Sequence, residues 1–179
     1  MPTVSDTSPL IWLSKIGKLT LLKDLYTKIL IPQEVYQEAV ERGLKEGFSD
    51  ALVIKEGCDQ GWIRILQLDE KEVTFCQSIM EHSFELHMSE VQAIALTRKT
   101  GKDTLLLIDE SSGRAFAEAW GLKVKGVLYI IMTALRCEFL DNAEAKETVL
   151  TLVQKGFRIE PKLLARIIRE IDNYKDKCT

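Results

Sequence analysis

Residues 104–109 read TLLLID: four consecutive apolar side chains between a threonine and an aspartate. A strand with one wet face alternates apolar and polar residues. An unbroken short run fits a parallel strand covered on both faces. Such a strand needs helices on either side of its sheet, and the flanking sequence provides them. Upstream, Ser89 with Gln92 three residues on reads as a capping box. The helix it opens buries Val91, Ile94 and Ala95 and ends at Gly101. Downstream, Ser112 to Trp120 reads as a helix closed by Gly121. Leu122-Lys123-Val124 reads as a short strand, and Val127 to Cys137 as a buried helix.

The N-terminal half repeats the alternation. Residues 2–6 (PTVSD) form a strand candidate. Ser8-Pro9 reads as a helix start, with Ser8 as N-cap and Pro9 at the first helical position. Leu10, Ile11, Leu13 and Ile16 make its buried side, and Gly17 ends it. Leu19 to Tyr26 is a second short helix. Lys28 to Ile31 (KILI) is a strand. Pro32 opens a helix with Val35, Tyr36, Ala39 and Val40 on one face, stopped at Gly43. Residues 48–58 read as a helix, 62–66 (WIRIL) as a strand, and 69–80 as a helix. Two further helices, about 143–155 and 161–173, finish the chain. Strands alternating with helices specify an α/β protein: a parallel sheet with helices on both faces.

Composition narrows the function. The chain has 179 residues, 46% hydrophobic and 28% charged, which excludes disorder, collagen and coiled coil as the main state. No apolar run approaches a membrane span. The opening MPTVSDTSPL lacks the pattern of a signal peptide, so the expected location is cytoplasmic. The net charge of −3 excludes nucleic-acid binding by bulk charge; such binding needs a local basic patch or bound cations. Cys58, Cys76, Cys137 and Cys178 are widely spaced and read as reduced, mostly buried thiols. His82 and His87 lie five apart, not at the i, i+4 spacing of a helical metal pair. Zinc hydrolases and histidine triads are therefore disfavoured, and a catalyst here must work mainly with carboxylates.

In open parallel sheets, ligands bind beyond the carboxyl ends of the strands. Asp6 ends the first strand. Asp109, with Glu110 beside it, ends the TLLLI strand. Glu90 falls in the first turn of its helix, and Glu38 within the helix after KILI. Each also has a plain structural reading. Asp6 and Asp109 can cap turns or helices, Glu90 suits the positive end of a helix, and Glu38 lies on a helix flank where an exposed charge belongs.

Four blocks in order carry a resemblance: VSDTSPLI at 4–11, LIPQEVYQE at 30–38, SEVQAIAL at 89–96 and LLLIDESSGRAFAEAWGLKVKG at 105–126. Together they resemble the PIN-domain proteins, and within them the subgroup akin to VapC-type toxins. The resemblance implies a three-layer α/β/α sandwich with a central parallel sheet. It implies a nuclease domain over 1–140, with residues 141–179 as a C-terminal helical extension packed on it. It further implies a Mg²⁺- or Mn²⁺-dependent ribonuclease, with Asp6, Glu38, Glu90 and Asp109 as the catalytic acids. Asp6, Glu90 and Asp109 would hold the metal, with Ser8 and Glu110 in support. RNA is the implied substrate, a small antitoxin protein an implied partner, and a homodimer the implied assembly.

Three positions depart from the family pattern: Ser89 for a glycine, Gln92 for a glutamate and Val127 for a threonine. Arg114, five residues after Asp109, is the leading phosphate contact; Lys15 and Lys18 are weaker candidates. The apolar stretch Val127–Met132 reads as buried in the core or at an interface. Two other readings stay open: a PIN-like binding module without turnover, and a phosphoryl-transfer enzyme with Asp6 as nucleophile. The latter typically wants a second aspartate two residues on, where Ser8 stands.

Overall fold

The computed structural model describes residues 1–174. Five short strands form one wholly parallel sheet: β1 (Thr3–Ser5), β2 (Ile29–Pro32), β3 (Ile63–Leu66), β4 (Leu105–Leu107) and β5 (Lys123–Lys125). Their spatial order is β3-β2-β1-β4-β5. Val4 stands opposite both Leu30 and Leu106, so β1 lies at the centre, with β4 beside it. The chain leaves β1 for one half of the sheet and later returns to build the other. The crevice between the carboxyl ends of β1 and β4 is thus the topological switch point.

Side chains of β4 alternate between two cores. Leu105 and Leu107 join a large cluster with Ile29, Ile31 and Ile63. Leu106 joins Val4, Ile94 and Val124 on the other face. Both faces are covered, which is why the strand carries no polar residue. The larger core is closed by α1 (Thr7–Lys15), α2 (Thr20–Tyr26), α3 (Gln33–Tyr36), α5 (Ser49–Asp59), α9 (Val127–Arg136), α10 (Asn142–Gln154) and α11 (Pro161–Asp172). The opposite face is covered by α6 (Glu70–His82), α7 (Met88–Thr100) and α8 (Ser111–Ala119). The result is an α/β/α sandwich. Among the described residues, no helix is long and apolar enough to cross a membrane.

Several local readings change. The first helix begins at Thr7, and its N-cap is Asp6, not Ser8. The Asp6 backbone is still extended while its side chain accepts the Ser8 N–H. Pro9 therefore sits in the third helical position, where no N–H is required. Gly43 does not stop the third helix. The chain runs from α3 through a π-helical segment, Gln37–Arg42, into α4 (Gly43–Lys45). Gly43 is buried there, packed so closely that a Cβ would lie 2.8 Å from the Ala51 Cβ. The N-cap of α7 is His87, not Ser89. The stretch Val127–Met132 is used by the monomer's own core: Val127, Ile130, Ile131 and Met132 are buried in it. Among the thiols Cys76 is buried, Cys58 half-buried and Cys137 exposed, which corrects the expectation of burial for the last. Cys178 lies outside the described residues.

Candidate active site

The ladder of hydrogen bonds continues one residue past two strands. Asp6 N–H donates to Leu107 C=O at 2.9 Å, and Ile108 N–H to Lys125 C=O at 2.9 Å. Asp6 and Asp109 are therefore held where the sheet ends. Ser8 links them. Its hydroxyl donates to Asp6 Oδ2 and accepts the Asp109 N–H, both at 3.4 Å.

Three acids at this rim share one pattern. Asp6 Oδ2 accepts the Ser8 N–H at 3.5 Å, and Oδ1 is buried with no partner. Asp109 Oδ1 accepts the Val127 N–H at 2.9 Å, and Oδ2 is buried with no partner. Glu90 Oε2 accepts the His87 N–H at 2.7 Å, and Oε1 is buried with no partner. In each, one oxygen secures a helix start and the other is left without a hydrogen bond. The capping role and the availability of a free ligand oxygen thus belong to the same side chains. A buried carboxylate oxygen without a partner carries a desolvation cost of about 1–3 kcal/mol or more. Glu38 is half-buried and held differently, accepting the Thr7 hydroxyl at 2.8 Å.

The electrostatics agree with this geometry. Burial pushes the Asp6 carboxyl up from 3.8 to about 7; the Thr7 N–H opposes this, and Glu90 and Glu38 add to it. Burial raises Asp109 from 3.8 to about 6, opposed by the Val127 N–H and Arg114 and reinforced by Glu110. Burial also raises Glu90, with the His87 N–H opposing it. Desolvation outweighs mutual repulsion in all three.

Two glycines make room for the acids. A Cβ on Gly113 would lie 2.5 Å from Glu90 Oε1 and 2.5 Å from Ile108 Cδ1. A Cβ on Gly126 would overlap Asp109 Oδ1. Neither residue carries a left-handed φ, so glycine stands there for space, not for backbone freedom.

A PIN-domain family model matches residues 2–173. The chain belongs to the PIN-domain family. PIN domains are in general nucleases that use divalent metals. No curated protein matches this PIN domain.

Two of the departures of this PIN domain from the family pattern, Gln92 and Val127, have local consequences, and nothing in the structure explains Ser89. Gln92 Oε1 accepts the Glu34 N–H at 3.2 Å, satisfying an orphan donor at the start of α3. A neutral amide does that without adding charge to an acidic rim. Val127 lacks a hydroxyl, but its backbone N–H is the group that holds Asp109. Glu110 is exposed at the N-cap of α8. Arg114 donates to Ile108 C=O at 3.2 Å and pairs with Glu118 at 3.6 Å, beside Asp109. Lys15 stacks over Trp12 at 5.1 Å near the far end of α1, and Lys18 follows it. Neither belongs to the rim. Thr7, Gly113 and the His87 backbone were not evident from the sequence. For Gly113 the only signal was the Gly-Arg-Ala continuation of the Asp109 block.

The donor set fits a hard divalent cation: oxygen ligands only, three of them buried and unpartnered. Among the described residues, no three His, Cys, Asp or Glu side chains are gathered into a ready-made cage. The fit is therefore one of donor chemistry and of oxygens without partners.

Proposed function

We propose that this PIN domain is an endoribonuclease dependent on Mg²⁺ or Mn²⁺. What supports the reading is the shared pattern of Asp6, Glu90 and Asp109, each with one oxygen fixed by a backbone N–H and the other buried without a partner. These three would hold the cation. When bound, it would polarise the phosphoryl group and supply an activated water, so no protein nucleophile is required. The remaining work belongs to the chain. Ser8 keeps the two strand-end acids in register, and Thr7 orients Glu38 toward the rim. Arg114 is braced on the Ile108 carbonyl, where its guanidinium can meet a substrate phosphate. Hydroxyls and backbone amides orient the acids without bringing further charge to repel a polyanion.

A toxin role, a small antitoxin and a homodimer follow from the motif resemblance alone. Since α9 is spent on the core, a dimer would need another face. Light scattering tests the dimer, and co-purification tests the antitoxin.

The deciding experiment on the nuclease reading replaces Asp109 with asparagine. The amide keeps an oxygen for the Val127 N–H and removes a carboxylate that is costly to bury. In EDTA the variant is expected to be as stable as the parent, or up to about 1–2 kcal/mol more so. In Mn²⁺ its cleavage of single-stranded RNA should fall to background. A purely structural Asp109 requires the reverse: a loss of about 0.5–2 kcal/mol with activity kept per folded molecule.

A further inference from the structure

Beside Asp109 a groove of about 480 Å³ opens between the start of α9 and the turn leading into α11. Arg114, Lys125, Arg158 and Arg166 line it against two carboxylates, Asp109 and Glu160. The surplus of positive charge is local and opposite in sign to the net charge of −3. Lys125, Arg158 and Arg166 are exposed, and among the described residues none of them forms an ion pair. Tyr129 presents a half-buried ring in the same groove, with Lys125 Nζ 5.0 Å from its centre.

Cations along a cleft, interleaved with an aromatic platform, suit one polymer in particular. A single-stranded nucleic acid offers phosphates to the cations and a base face to the ring. A duplex keeps its bases stacked inside and has no use for the ring. An acidic peptide would meet the cations but has no call on the platform, nor a reason to begin at a catalytic acid. We propose that this groove holds the single-stranded RNA chain leading away from the scissile phosphate, with Arg158 and Arg166 on its phosphates and Tyr129 stacking a base. The inference rests on the nuclease reading for its substrate. It adds that the C-terminal helices carry part of the binding surface, which gives an acidic protein its local basic patch.

The test is fluorescence anisotropy in EDTA with a labelled 12-nucleotide single-stranded RNA and its duplex, read alongside cleavage in Mn²⁺. The single strand should bind more tightly than the duplex. Arg158→Ala/Arg166→Ala should weaken binding at least ten-fold at about 0.1 M salt. It should also flatten the log–log salt dependence by about 1.4, two phosphates at roughly 0.7 each. Tyr129→Leu should weaken binding about five-fold or more, and Tyr129→Phe should restore it. Wild-type affinity and salt slope in the arginine variant overturn the proposal, as does an absence of RNA binding by the wild type. The two readings fail separately. If no form cleaves RNA but binding follows the pattern above, the groove stands and the nuclease falls. If the wild type cleaves and the arginine variant keeps its KM and its affinity, the groove alone falls.

Discussion

Asp6 is at once a helix cap, a buried carboxyl and a proposed metal ligand, and the three roles pull on its proton in different directions. Its folded value of about 7 lies above the ordinary 3.8, because burial outweighs the Thr7 and Ser8 amides. Between those values the folded protein keeps a proton that the unfolded chain has released. Raising the pH through this window therefore weakens folding, and the cost is complete above about pH 7. By linkage it is on the order of 4 kcal/mol. Asp6→Asn removes the titration while keeping a side chain that caps well. In EDTA at pH 8 the variant should melt several degrees above the wild type, at roughly 2–4 °C per kcal/mol. At pH 5, part-way through the window, the gap should shrink to under half, and it should close only below about pH 4. Melting curves at the two pH values decide it. A variant that melts lower at both would mean that the cap, not the buried charge, dominates at this position.

At the scale of elements, the helix starts hold the acids. The rim is built where α1, α7 and α9 begin, and each start lends a backbone N–H to one carboxylate. Free amides at a helix N-terminus favour an anion, so a single arrangement caps three helices and fixes one oxygen of each of the three proposed ligands. The Glu90 arm also depends on α8, whose Gly113 leaves space for the carboxylate. Gly113→Ala sets two effects against each other. Helix propensity gains about 1 kcal/mol, while the clash with Glu90 and Ile108 costs about 1–3 kcal/mol. Glu90 must then move. The expected outcome is a loss of no more than about 2 kcal/mol of stability together with a fall of at least ten-fold in Mn²⁺-dependent cleavage. Denaturant melts and initial rates measure the two. Full activity in Gly113→Ala would remove Glu90 from the proposed ligand set.

For the whole molecule, the switch-point crevice, the cores on both faces of the sheet and the C-terminal helices act together. If Asp6, Glu90 and Asp109 hold the cation as proposed, metal binding should couple to folding, because only the folded chain brings the starts of α1, α7 and α9 to one rim. A cation held there would have to displace protons from Asp6 and Asp109, whose values near 7 and 6 would make affinity rise steeply with pH. Calorimetric titration with Mn²⁺ should show tighter binding at pH 8 than at pH 6. A concentration of 100 Kd should add about 2.7 kcal/mol of stability. Asp6→Asn/Asp109→Asn should abolish both effects. Equal binding by the double variant would place the metal elsewhere.

The amino-acid pattern alone determined the class of fold and the neighbourhood of the site. Burial on both faces leaves an unbroken apolar run in β4, and a parallel ladder puts the residues after β1 and β4 on a common rim. Asp6 and Asp109 were therefore legible from their places in the chain. Other features depended on partners distant in sequence. The N-cap of α7 is His87 because Glu90 reaches its amide, while Gln92, which looked like the capping partner, serves the start of α3 instead. Gly43 looked like a stop and is a point of close packing against Ala51. The polarity of α9 was ambiguous between core and interface until the sheet and the C-terminal helices covered it. The groove was illegible for the same reason: Arg158 and Arg166 lie far along the chain from Arg114 and Asp109, and only packing sets them together. Local periodicity records which face of an element is buried. Which atoms meet across the fold is decided by tertiary packing.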